Sequence, residues 1–299
     1  MVERVEGKWI KCFAETFHNC RVREGDVVAI LSETQSRRVL VDVSELALLQ
    51  LGARVFHICL PTPPLEDPVP MRSTGATPAV QGITPVIKAL ASSSLVVDVT
   101  VEGMLHAPEL PTILDGGSRL FMISNEHPEI LERCMPNPEL RPTIDLGMQM
   151  LSEAGTMRVV SDAGTDLTID VTDAPGRGGA GYLGEGDKVG YWPAGLCLCF
   201  PKARTTNGTV VLNRGDVNLT FKRYLETPIT LTFEDDFVVN IGGDGLDAEL
   251  MQEYYAAFDQ NAYAVSHVGW GMNPAARWDS LAMFDKDQIN GTELRALAG

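Results

Sequence analysis

Asp26-Val27-Val28-Ala29-Ile30-Leu31 is a compact apolar run, and Ala53-Arg54-Val55-Phe56-His57-Ile58-Cys59-Leu60 reads as the next strand. Between them, residues 36–51 set Val39, Leu40, Val43, Leu46, Ala47 and Leu49 on one broad face of a helix. Gly52 stands where that helix must stop. A strand that is apolar throughout needs cover on both faces, which a parallel sheet with helical crossovers provides. The segment therefore reads as β-α-β, and it decides the class of the N-terminal half.

Outward from this unit the pattern repeats. Residues 8–20 suit a first helix and residues 84–92 another, followed by the strand Leu95-Val96-Val97-Asp98-Val99. Arg119-Leu120-Phe121-Met122-Ile123-Ser124 is a further strand, with helices near 127–134 and 138–154. Alternating short strands and amphipathic helices predict a doubly wound, mostly parallel α/β domain over residues 1–156, with ligands gathering beyond the strands' carboxyl ends. The stretch 61–85 is rich in Pro, Thr and Gly. It is expected to be a long surface loop, suited to a lid or to contact between copies of the chain.

From about residue 157 the period falls to two. Thr165-Asp166-Leu167-Thr168-Ile169-Asp170-Val171 alternates polar and apolar, as do Gly208-Thr209-Val210-Val211-Leu212 and Ile229-Thr230-Leu231-Thr232-Phe233. Turn residues lie between them, so residues 157–299 are predicted to form a β-rich α+β domain. Helices are expected at 246–258 and near 274–283.

The chain has 299 residues, 44% hydrophobic and 21% charged, with a formal net charge of −16. That charge argues against nucleic acid and against anionic membrane surfaces, because both are held by Lys and Arg. No stretch reaches the roughly 18 apolar residues of a membrane span. The N-terminus lacks the basic-then-apolar order of a signal peptide. Six cysteines without framework spacing read as reduced thiols, and a cytoplasmic protein is expected.

Several motifs compete for a role. Gly176-Arg177-Gly178-Gly179-Ala180-Gly181 matches G-x-G-x-x-G, but Asp173-Ala174-Pro175 precedes it and further glycines follow. The dinucleotide reading needs a strand before and a helix after, so a flexible loop over a site is expected instead. Cys197-Leu198-Cys199 lies in an apolar run, and two thiols are too few for a structural zinc site, so core packing is expected. His127 reads as a helix-start residue, while His18 and His57 look structural. His106 falls just after the strand at 95–99, at the carboxyl edge where sites form, and its imidazole suits a general base near pH 7. His267 is the only histidine after His127. Ser266, Gly269 and Gly271 around it are small and admit close approach of a ligand or of backbone.

Ser266-His267-Val268-Gly269-Trp270-Gly271-Met272-Asn273-Pro274 resembles the iron-binding segment of the 2,5-dihydroxypyridine 5,6-dioxygenases, Fe(II) ring-cleavage enzymes with an aminopeptidase T-like fold. Met104-Leu105-His106-Ala107-Pro108-Glu109, Ser161-Asp162-Ala163-Gly164-Thr165-Asp166 and Tyr191-Trp192-Pro193-Ala194-Gly195 are similar to further elements of that family. The resemblance implies His267 as an iron ligand, His106 and Tyr191 in acid–base steps, and Arg295, Leu105 and Ser266 against substrate. It also implies a small hydroxylated N-heteroaromatic and O2 as partners, and the expected assembly is a homo-oligomer.

Two departures stand out. Tyr191 occupies the place of a family histidine, and Gly179 the place of a family carboxylate. A phenol with a reference pKa near 10 is a poor base at neutral pH but a good donor. The family's second histidine and aspartate, which complete a 2-His-1-carboxylate site, are expected from chain beyond Gly299. Two other readings remain open on the residues alone. One is a related metallopeptidase with two carboxylate-bridged metals, drawing on Asp247, Glu249 and Glu253. The other is a metal-free binding homologue.

Overall fold

The computed structural model describes residues 4–69, 72 and 75–298. Its first half runs α1 (Gly7–Asn19), β1 (Val27–Glu33), α2 (Arg38–Gln50), β2 (Arg54–Leu60), α3 (Thr84–Ala91), β3 (Leu95–Asp98), α4 (Leu110–Asp115), β4 (Leu120–Ile123), α5 (Pro128–Arg133) and α6 (Arg141–Glu153). Strand residues alternate between two cores, as side chains on a pleated strand must. Val28 and Ile30 of β1 and Leu95 and Val97 of β3 pack with Phe13, Phe17, Leu40 and Leu48 of α1 and α2. Their neighbours Ala29, Leu31 and Val96 pack with Leu90 of α3 and Ile113 of α4. Helices therefore cover both faces, and the strands pair in parallel. Gly52 adopts a φ of 77° just after α2, the left-handed stop that glycine supplies.

The later half adds β5 (Thr156–Val160), β6 (Asp166–Asp170), β7 (Arg177–Gly179), β8 (Val189–Trp192), β9 (Leu196–Cys199), β10 (Asn207–Leu212), β11 (Val217–Asn218), β12 (Arg223–Tyr224), β13 (Ile229–Glu234), β14 (Phe237–Gly242), α7 (Leu246–Ala256), β15 (Val268–Gly271), α8 (Ser280–Met283) and α9 (Thr292–Ala298). β14, β13, β10, β6 and β5 form an antiparallel sheet. Ile229, Leu231 and Phe233 share a core with Cys197 and Cys199, Leu151 of α6 and Met251 of α7. Both thiols of the Cys197–Cys199 pair are thus packed inside, and all six cysteines are free.

Two expectations fail. Residues 176–181 are not a loop, since Arg177–Gly179 is a strand paired with β9. Nor do residues 274–283 form one helix. Only the short α8 is helical there, while the Asn273 side chain spends its polar groups on the Ala275 N–H and the Ala194 carbonyl.

β8 joins the parallel sheet as its fifth strand, giving the order β2-β1-β3-β4-β8, so that sheet draws strands from both sides of residue 156. After the three residues Pro193-Ala194-Gly195 the chain enters the small antiparallel sheet β15-β9-β7. The Pro193-Ala194-Gly195 corner therefore couples the carboxyl edge of the parallel sheet to the strand that follows His267. Among the described residues no helix is long and apolar enough to cross a membrane. Of the 61–85 loop, residues 70, 71, 73 and 74 lie outside the described residues.

Candidate active site

The carboxyl ends of β3, β4 and β8 gather the chemistry. After β3, Asp98 is completely buried. Its Oδ1 accepts from the Thr100 N–H at 3.0 Å and the Thr100 hydroxyl at 2.7 Å, and its Oδ2 from the Met104 N–H at 2.6 Å. These bonds shape the turn that presents Leu105 and His106. Burial pushes the Asp98 carboxyl up to about 6 despite those donors, and nearby Glu33 adds to the rise. Leu105 is half-buried against the core under α3 and α4, and His106 is exposed.

Tyr191 is the third residue of β8, one before the buried Trp192 that ends the strand. Its ring fills the space over Gly179. A Cβ at that position would stand 2.9 Å from Cε1, 3.0 Å from Cζ and 3.2 Å from the phenol oxygen. Burial raises the Tyr191 pKa well above the ordinary phenol value. The phenol therefore keeps its proton at neutral pH and has an O–H available to donate.

His267 immediately precedes β15, whose pairing with β9 sets it beside Phe200. The two rings meet edge-on at 5.9 Å, and Nδ1 lies 3.4 Å from the Ser266 hydroxyl. Both Ser266 and His267 are exposed as whole residues. Partial screening of the imidazole from water is nonetheless the largest cause holding its pKa below the ordinary value, followed by the charges of His106 and Arg295. Arg295, from α9, is itself lowered by burial, with Glu126 pushing the other way. His267 before β15 thus feels two groups from distant parts of the sequence, His106 after β3 and Arg295 on α9.

Iron is what the family resemblance implies, and the donors can be tested against it. Among the described residues no three His, Cys, Asp or Glu side chains come together in a way that could hold a metal ion. His267 is one donor of the expected type with an open ring, but the described residues do not make a complete iron site. The acidic residues of α7 do not make one either. Asp247 is buried, paired with Arg223 at 3.0 Å, and accepts from the Glu226 and Thr227 N–H groups.

Sequence reasoning missed two carboxylates in this region, Asp98 and Glu126, which are fully buried at the ends of β3 and β4. The signal available was a carboxylate inside or just after an apolar strand, a costly place for a charge unless its oxygens are occupied. His127, by contrast, does start a helix: its Nδ1 accepts from the Glu129 N–H at 3.2 Å.

Comparison with known proteins agrees with this geometry. The profile of the NicX family, 2,5-dihydroxypyridine 5,6-dioxygenase, matches residues 8–299. The 2,5-dihydroxypyridine 5,6-dioxygenase of Pseudomonas putida KT2440 is 32% identical over 285 residues, covering 93% of this chain and 79% of that protein. The solved structure of 2,5-dihydroxypyridine dioxygenase from the same organism superposes with a TM-score of 0.89 at 31% identity, covering 97% of this chain and 83% of the other. AmpT from Thermus thermophilus gives a TM-score of 0.60 at 13% identity, over 97% and 84% of the two chains, a likeness of fold alone. With its α/β sheet, its exposed His267 and a match along almost its whole length, the chain belongs to the 2,5-dihydroxypyridine 5,6-dioxygenase family of ring-cleaving enzymes.

Proposed function

We propose that this protein cleaves the ring of a hydroxylated N-heteroaromatic, of the 2,5-dihydroxypyridine type, with O2 as co-substrate. The observation that carries the reading is that His267, set before β15 and edge-on to Phe200, is within electrostatic reach of both His106 and Arg295. A guanidinium there suits a ring oxygen that has lost its proton, through charge-assisted hydrogen bonds. His106 takes the hydroxyl proton as general base. Tyr191, held protonated, donates to an acceptor on the ring. Leu105 supplies an apolar wall, and Ser266 adds a hydroxyl beside His267. Fe(II) is the proposed cofactor, with His267 as one ligand. A cytoplasmic setting is proposed from the composition and the free thiols, and a homo-oligomer as the assembled form.

The test is O2 uptake with 2,5-dihydroxypyridine after anaerobic loading with Fe(II). His267→Ala is expected to abolish uptake and to lower the equivalents of iron retained after gel filtration. Turnover at the wild-type rate in that variant overturns the reading.

A further inference from the structure

Glu126, which follows β4, takes no part in the steps above. It is 0% exposed. Its Oε2 accepts from the Asn290 N–H at 2.7 Å and its Oε1 from the Thr292 N–H at 2.8 Å. The Glu293 N–H adds to the same carboxylate. These are amide groups at the start of α9, where a helix has no partners of its own to offer. The Ser124 hydroxyl reinforces the join, meeting the Thr292 hydroxyl at 2.6 Å and accepting from the Asn290 side-chain amide at 3.1 Å.

At its other end α9 rests on the strand that follows His267. A Cβ on Gly271 would lie 2.4 Å from the Leu297 carbonyl carbon and 2.6 Å from the Ala296 oxygen, so the helix backbone sits directly on β15. The Asn273 N–H donates to the Ala296 carbonyl at 2.9 Å. α9 is therefore clamped between the end of β4 and the end of β15. Arg295 lies between the two ends of that clamp, where it feels the charge of Glu126 and is itself felt by His267. Burying a carboxylate this deeply is costly unless its oxygens are bonded, and here the bonds all go to the first turn of the helix that carries the arginine and to the residues that lead into it.

We propose that Glu126 is a positioning residue for ring cleavage: its buried carboxylate fixes the start of α9 and thereby aims Arg295 at the substrate beside His267. This rests on the reading of Arg295 as the group that binds the anionic ring oxygen.

The experiment uses the iron-loaded enzyme and three variants. Glu126→Gln keeps the side chain's size but loses the charge and turns an amide N–H₂ toward one of the α9 donors. Thr292→Pro removes one of those donors at the first helical position, where proline is tolerated. Ser124→Ala leaves the carboxylate in place. For each, KM and kcat for 2,5-dihydroxypyridine are measured, together with thermal unfolding and the rate at which phenylglyoxal labels Arg295, read by peptide mapping. Glu126→Gln is expected to raise KM about tenfold with kcat changed less than about threefold, the pattern of a lost binding contact. Arg295 labelling should quicken in Glu126→Gln, Thr292→Pro should shift both readouts the same way by less, and Ser124→Ala, which removes only the reinforcing hydroxyl, should shift them least. If Glu126→Gln does not fold, Thr292→Pro carries the comparison. Unchanged KM and unchanged Arg295 labelling in a folded variant overturn the proposal, as does loss of thermal stability with neither readout moved. Should the wild-type protein show no turnover, the ring-cleavage reading fails, while the labelling rates still decide whether Glu126 positions Arg295.

Discussion

Gly179 and Tyr191 occupy one space between them. The tyrosine side chain comes within 2.9–3.2 Å of where a Cβ at position 179 would lie, tighter than nearly all real Cβ contacts. Gly179→Ala should therefore destabilise the protein by about 1–3 kcal/mol, the usual effect of overpacking a filled interior. In a Tyr191→Ala background the same change should have an effect of roughly 0.5 kcal/mol or less, because the ring that obstructs it has gone. Urea unfolding of the four proteins in the cycle checks this, and an equal penalty in both backgrounds counts against the contact. Asp98 gives a second prediction at this scale. Its folded pKa, raised to about 6 from an ordinary 3.8, means that the folded state binds the proton more tightly than the unfolded chain does. Stability contributed by this group is thus full below the unfolded value and is lost as pH rises through 6. Asp98→Asn cannot titrate. The wild type minus Asp98→Asn difference in unfolding free energy should therefore fall between pH 4 and pH 6 and be flat from pH 7 to 8. The lost bond to the Met104 N–H only offsets that curve by a constant. A flat difference throughout would show that Asp98 is not perturbed. His106, His267 and Arg295 are singled out in the sequence because their neighbours resemble local motifs of the family. Asp98 and Glu126 are not, because what defines them is the set of N–H groups that tertiary folding brings to their oxygens.

Among the elements, the β-α-β units were legible because buried strands and amphipathic helices carry strong apolar patterns, and the observed bounds of β1, α2 and β2 fall within a few residues of expectation. The short strands were not. β7 and β15 are three and four residues long and rich in glycine, too short for an alternation to register. Their identity comes from β9, which pairs with both. Those glycines are the reason the layers approach so closely, and Gly271 is the sharpest case. All three atoms nearest a Cβ there are α9 backbone, at 2.4–2.6 Å, so no side chain can swing aside. Gly271→Ala is expected to destabilise by about 3 kcal/mol, the upper part of the overpacking range. It should also reduce kcat/KM by more than about tenfold, because separating α9 from β15 separates Arg295 from His267. A variant with wild-type urea midpoint and wild-type kinetics would mean that the helix does not lie on the strand in this way.

On the scale of the whole molecule, charge sets a last expectation. The chain carries a formal −16, yet the proposed substrate binds as an anion. Long-range forces therefore oppose its approach, and the Arg295 that attracts it is partly offset by Glu126. Salt screens repulsion between separated charges over a Debye length of about 8 Å at physiological ionic strength, but weakens a partly buried contact much less. Raising ionic strength from 10 mM to 150 mM should accordingly increase kcat/KM for the anionic substrate roughly two- to threefold while leaving kcat nearly constant. Lowering pH until the substrate's ring hydroxyl is protonated should remove the salt effect, since a neutral ligand feels no net field. A decrease of kcat/KM with added salt would show instead that a local cationic field at the site, rather than the molecule's net charge, governs the encounter.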